Sequence, residues 1–167
     1  MNTARVNCSN SVKKQICNTD NIDRLYETPV CSRRIKKAVM KNRKAVAKFK
    51  DKSFKKGFVV DFYPDKSPLK LQLLNNRIEM IEMEDLKAVF FVKSFQGNKN
   101  HITRYQDPNP WGGKKIRVDF NDGETIIGHA MHYSLGHHGF FLIPADRGNN
   151  NEEIFVITSA TKKIVFL

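Results

Sequence analysis

The sequence predicts an all-β protein built from two tandem, small five-stranded barrels behind a basic arm. Three observations predict it. The chain repeats itself: Ala45–Asp51 reads against Ile116–Asp122, and Phe49 falls on Phe120, Asp51 on Asp122, Gly57 on Gly128 and Leu71 on Leu142 at one constant offset. Lys87–Val92 then matches Lys162–Leu167 at an offset four residues larger, a difference that fits inside the polar loop Asp146–Asn151. An internal repeat fixes architecture before any single residue is read. Second, each copy is a run of short segments rich in β-branched and aromatic residues, punctuated by turn residues. Third, a unit of roughly 50 residues is marginal alone and gains by packing on a second.

The elements follow in order. Residues 1–43 read as a flexible basic arm: Met1–Thr28 is polar and lacks a sustained period, and Ser32 is placed to cap a short helix over Arg33–Arg43. Residues 44–93 form the first barrel. Ala45–Asp51 has strand character, Asp51-Lys52-Ser53-Phe54 is a turn, and Lys55–Tyr63 is a second strand with Gly57 marking a bend or close backbone approach. Pro64–Pro68 turns the chain, and Leu69, Leu71 and Leu73 alternate in a third strand. Asn75-Asn76 leads to a fourth, Arg77–Glu82. Glu84-Asp85-Leu86 reads as one tight helical turn, and Lys87–Val92 is an apolar run of the kind buried on both faces. Residues 94–113 are a linker, long for a compact domain, holding the only tryptophan, Trp111. Residues 114–167 repeat the order, with Lys114–Phe120, the Asp122-Gly123 hairpin signal, Thr125–Tyr133, His138–Pro144, Glu152–Ile157, a turn at Thr158–Ala160, and Lys162–Leu167. Five short strands with a tight turn before the last describe a strongly bent barrel of the SH3-like or Sm-like type.

Charge is the sharpest functional signal. The net charge is +12. Residues 1–56 hold 16 Lys+Arg and 4 Asp+Glu, whereas residues 57–167 hold 13 of each, so the whole excess precedes or lies within the first hairpin. Such asymmetry points to an anionic partner. The three cysteines, Cys8, Cys17 and Cys31, are odd in number and lack a Cys-x-x-Cys spacing, which fits free thiols in a reducing compartment. No apolar run approaches a membrane span, and the first residues lack a secretory signal's apolar stretch. A cytoplasmic protein without membrane contact is expected.

The strings Leu86–Gly97 and Gly139–Asp146, followed by Asn149-Asn150, resemble a bacterial family that carries a "DLKAVFFV…F.G" block and then "DGE…GFFL.PAD…NN". The resemblance covers about residues 44–167. It implies a bacterial origin and the tandem small-barrel fold, with occasional attachment to signalling modules such as the cyclic-di-GMP-binding PilZ domain. It implies no activity.

Candidate chemistry is sparse. No nucleophile elbow and no phosphate-cradling glycine loop is present, so no enzyme and no cofactor are expected. His129, His132, His137 and His138 cluster, but His129 and His132 are three apart on a strand and face opposite sides, so no metal site is assigned. Against the PilZ pattern of Arg-x-x-x-Arg followed by Asp/Asn-x-Ser-x-x-Gly, Arg33 is followed four residues on by Lys37, which lacks the planar guanidinium fork, and Gly57 comes one residue late. Nucleic acid is the first expected partner, met by Arg33, Arg34, Lys36, Lys37, Lys41 and Arg43 of the arm and by Lys52, Phe54, Lys55 and Lys56 of the first hairpin. Cations interleaved with an exposed aromatic ring would hold phosphates and stack bases. Phe54 is singled out because its repeat counterpart is Thr125 and not an aromatic residue. A protein partner in a signalling system, docked through Trp111 or the neutral second barrel, is the second expectation. Trp111 is also read as a plug for the seam between barrels. Cyclic-di-GMP is the third. The chain therefore reads as a non-catalytic binding or adaptor protein.

Overall fold

The computed structural model describes residues 42–64, 66–98, 100–104, 112–130, 133 and 136–167. Most of the expected basic arm, including Arg33, Arg34, Lys36, Lys37 and Lys41, lies outside these residues, as do Trp111 and His132. The described chain is all-β. Its strands are β1 (Lys44–Phe49), β2 (Phe54–Tyr63), β3 (Lys66–Leu73), β4 (Ile78–Ile81), β5 (Leu86–Val92), β6 (Lys114–Phe120), β7 (Thr125–Ala130), β8 (Gly139–Pro144), β9 (Asn151–Ile157) and β10 (Thr161–Phe166). A 3₁₀ turn precedes the last strand of each half, at Met83–Asp85 and Thr158–Ala160.

The repeat is real at the level of single hydrogen bonds. Phe49 N–H donates to Ser53 O at 2.9 Å, and Phe120 N–H donates to Glu124 O at 2.9 Å. Lys50 N–H reaches Asp85 O at 3.0 Å, and Asn121 N–H reaches Ala160 O at 3.0 Å. The two hairpin turns place Lys52 and Gly123 in the left-handed region, at φ 72° and 88°. Glycine adopts that conformation freely, while a residue with a Cβ is strained there. The paired glycines have a common cause. A Cβ on Gly57 would lie 2.2 Å from the Gln72 carbonyl oxygen, and one on Gly128 would lie 2.5 Å from the Ile143 carbonyl oxygen. Only glycine lets the second strand of each half approach the third this closely.

All ten strands form one open antiparallel sheet in the order β10-β6-β7-β8-β9-β5-β1-β2-β3-β4. Each half contributes five strands, and its fifth strand returns to pair its first. The all-β class and the five-strand count per half agree with the sequence. The halves are joined edge to edge within this one sheet, a joint the sequence does not predict. β5 pairs with β9 in the register Val89↔Phe155 and Phe91↔Glu153.

The reason is visible in β5. It is buried along its whole length, and an apolar strand with one bare edge would leave backbone amides unpaired away from water. β1 covers one edge and β9 the other. Phenylalanines fill the joint. Phe62 of β2 lies 5.0 Å from Phe155 of β9, and Phe141 of β8 lies 4.9 Å from Phe155, ring centre to ring centre. Phe91 is fully buried against Phe62 and Phe141. These four rings occupy the seam. A single apolar core therefore runs through both halves, from Leu69 and Leu71 to Ile116 and Val118.

The two glycines make the clearest test of this geometry. Gly57→Ala and Gly128→Ala should each destabilise by about 2 kcal/mol or more through forced strand separation, read as matching falls in denaturant midpoint. Gly97→Ala, where a Cβ meets nothing within 4 Å but the backbone is left-handed at φ 71°, should cost only that strain, about 1 kcal/mol.

Candidate functional site

The candidate site is the β1–β2 hairpin with the ionic cluster beside it. Asp51 opens the turn by accepting from Ser53 N–H at 2.8 Å and from the Ser53 hydroxyl at 2.6 Å. These bonds hold its carboxyl below the usual range, because they stabilise the ionised form. Lys52 then stands at the exposed tip in its strained backbone conformation. Phe54, the first residue of β2, is 59% exposed. Lys56 lies over its ring, Nζ 5.6 Å from the centroid, and donates to the Phe95 carbonyl at 2.8 Å. Lys55 contacts the Phe49 ring at 5.6 Å and pairs with Glu79 at 2.5 Å. Lys50 reaches across to the Ser159 hydroxyl at 3.1 Å.

Arg43 takes a different place. Its guanidinium pairs with Glu153 at 2.6 Å and Glu152 at 3.5 Å, and lies 4.3 Å from the centre of the Phe91 ring. It clamps the first half to β9. Among the sequence-predicted cations, Lys52, Lys55 and Lys56 belong to the same hairpin as Phe54, and Arg43 is committed to the joint.

Beside the hairpin is a cluster that the sequence reading does not single out. Lys87 of β5 is buried at 2% exposure, within a strand otherwise wholly apolar. Its ammonium donates to Asp122 at 2.5 Å and to Glu124, and lies 4.4 Å from the centroid of the Phe120 ring. Lys48 adds a second cation on Glu124 at 2.5 Å. Both acids belong to the β6–β7 hairpin of the second half. The bond from Lys87 holds the Asp122 carboxyl below its ordinary value. Burial pushes Glu124 up, but the bonds from Lys48 and Lys87 outweigh it and leave it lowered. A buried charge is tolerated only when paired in this way. The available signal is Lys87 itself, a cation inside the densest apolar run.

A second buried acid sits just past the end of β8. Asp146 is 4% exposed and accepts from the backbone N–H groups of Arg104 and Gly148, each at 2.9 Å, and it faces His101 Nε2 at 2.6 Å. Burial raises its carboxyl and these bonds outweigh burial, so it too is lowered. The arrangement ties the connector after the first half onto the loop before β9. Of the histidine cluster, His129 is buried on β7, while His137 and His138 line a shallow depression of about 340 Å³ with Met83, Glu84 and Thr158. Among the described residues no three His, Cys, Asp or Glu side chains come together to hold a metal ion. No helix among them is long and apolar enough to cross a membrane. Asp51 and Gly57, which partly match the cyclic-di-GMP pattern, have structural roles that recur at Asp122 and Gly128.

The chain belongs to a family of unknown function, DUF6982, whose family model matches residues 41–167. That span includes both halves of the sheet. No curated protein and no solved structure matches the chain.

Removing Lys87 should expose its importance. Lys87→Ala leaves the Asp122 carboxylate without its cation and Glu124 with Lys48 alone, and should cost about 3 kcal/mol in chemical denaturation. The wild type should also show an acid limb. Asp122, Glu124 and Asp146 are held below their ordinary values of 3.8, 4.5 and 3.8. The unfolded chain therefore takes up protons first as the pH falls. The stabilisation is complete above about pH 5 and is lost as the pH drops through the lower folded-state values. Asp122→Asn with Glu124→Gln should flatten that limb in pH-resolved thermal melts.

Proposed function

We propose that the protein is a non-catalytic nucleic-acid-binding protein whose first hairpin and preceding basic arm grip a strand. One observation carries this reading: the first hairpin presents an exposed phenylalanine among lysines, on a backbone that the second half repeats without either feature. Phe54 has Thr125 as its counterpart, and Lys52 has Gly123. Keeping lysine at a left-handed position, where the other copy has glycine, costs strain that a purely structural turn avoids. Lys50 and Lys52 would meet phosphates, Phe54 would stack on a base, and Lys56 over the same ring adds a cation–π contribution. The arm cations Arg33, Arg34, Lys36, Lys37 and Lys41 would extend the phosphate track. In this reading each half of the sheet acts as a small bent barrel of the SH3-like or Sm-like type. The return of each fifth strand to the first supports that.

A protein-docking role is the second reading. It is favoured by the extent of the family match, which starts at residue 41 and so leaves most of the basic arm outside the shared region. A docking surface on the sheet, or at Trp111, would then be the common element and the arm an addition. Cyclic-di-GMP binding ranks below both.

The test is fluorescence anisotropy of labelled single-stranded RNA and duplex DNA with the full chain across a salt series. Binding should weaken steeply with salt, each phosphate contact adding about −0.7 to −0.9 to the slope of log K against log salt. Phe54→Ala should weaken single-strand binding by about 5-fold or more, the loss of one stacked base. Lys52→Glu should make the slope shallower. No binding at low salt would overturn the reading, as would binding that both substitutions leave unchanged.

A further inference from the structure

We infer that a second copy of this chain adds onto the open edges of the sheet, its β4 pairing with β10 in the same register that joins the two halves within one chain. The argument begins from the repeat. β10 is the counterpart of β5, and β4 is the counterpart of β9. Inside the chain β5 and β9 pair. Among the described residues, β10 pairs only with β6 and β4 only with β3, so the counterparts stand at the two ends of the sheet. Open strand edges carry rows of unpaired amides and carbonyls and are templates for another strand.

The side chains at these edges match. Transferring the internal register, Val89↔Phe155 becomes Ile164 opposite Met80, and Phe91↔Glu153 becomes Phe166 opposite Ile78. All four are apolar. Met80 is 64% exposed, Ile78 60% and Phe166 52%. They thus make up much of the large apolar surface left open, and the transferred register lays them against one another. Directly opposed apolar pairs are the unit of sheet stabilisation. The aromatic packing also repeats. Phe62 and Phe91 meet at 6.0 Å, and Phe155 of the second half closes over Phe62. Their counterparts Tyr133 and Phe166 meet at 5.9 Å, and the residue that would close over them is Met80 of the next copy.

The ionic socket repeats in part, with one acid in place of two. Lys87 enters a socket of Phe120, Asp122 and Glu124 on the neighbouring half. Its counterpart Lys162 is exposed, and the counterpart socket is Phe49, Asp51 and Ser53. Among the described residues neither Lys162 nor Asp51 has an ion-pair partner. In the joined arrangement Lys162 of one copy would meet Asp51 of the next. Such a head-to-tail joint uses different surfaces on the two partners, so its repetition gives a ring if the rotation closes and a filament if it does not. This inference is independent of nucleic-acid binding.

Charge reversal with rescue tests it. Sedimentation velocity and light scattering on the nuclease-treated full chain should show species larger than a monomer that grow with concentration. Lys162→Glu places two acids together, and Asp51→Lys places two cations together. Each alone should weaken self-association by about 10-fold or more. Mixing the two variants should restore it, because the glutamate introduced in one variant can then meet the lysine introduced in the other, with opposite charges again facing across the joint. Met80→Lys should weaken it without touching the hairpin, and circular dichroism establishes that each variant folds. A wild type that stays monomeric up to about 1 mM would overturn the inference. So would oligomers that survive all three substitutions, or two reversals that fail to complement on mixing.

Discussion

The fold depends on covering both edges of β5. Its seven consecutive buried residues give the strand nowhere to meet water. Its backbone must then find partners on both sides, and β1 and β9 supply them. Joining the halves at this place has consequences for residues far away in sequence. Lys87 is drawn into the joint with the strand, and its charge requires Asp122 and Glu124 on the opposing hairpin. Arg43 closes the other end of the joint through Glu152 and Glu153. The four phenylalanines fill the volume between these two ionic ends. Ion pairs of this kind contribute little net stability against a hydrophobic replacement, but leaving one member unpaired is costly. Their value here is registry: a slip of β9 along β5 by one residue would separate Lys87 and Arg43 from their acids together.

The parts legible in the sequence are those set by local pattern. The repeat locates nearly every strand, and the two tight turns before β5 and β10 lie within a residue or so of their expected positions. β3 begins at Lys66, earlier than the expected start at Leu69, because Pro68 sits in the strand and not in the preceding turn. Phe54 is recognisable as an outward residue because the second copy lacks an aromatic ring there. The edge-to-edge joint is not recognisable. Alternation along a strand reports which face is buried, but not which neighbour takes its edge. The partners of Arg43 and Lys87 lie 110 and 35 residues away. A charge count cannot tell such committed cations from those left for a ligand. His101 and Asp146, 45 residues apart, are hidden for the same reason.

The two hairpins show how one backbone solution is put to two uses. Both close with the same pair of main-chain hydrogen bonds, both place an aspartate at the turn, and both need a left-handed residue next to it. In the second half the turn reads Asp122-Gly123-Glu124, relaxed and acidic, and it serves as a socket for a lysine from the neighbouring half. In the first half it reads Asp51-Lys52-Ser53-Phe54-Lys55-Lys56, and only Asp51 keeps the acidic character. The residues that differ lie on the outside of the turn, where Lys55 and Lys56 also reach Glu79 and the Phe95 carbonyl, and the residue in common is the aspartate that builds the turn. Asp51 accepts the Ser53 bonds through Oδ1, and its other oxygen takes no part in them. In the second half the same division is in use: Asp122 Oδ1 accepts from Glu124 N–H while Oδ2 receives Lys87. With a cationic outer rim and a second aspartate oxygen, a single hairpin would be able to meet the proposed nucleic acid on one side and the inferred second copy on the other.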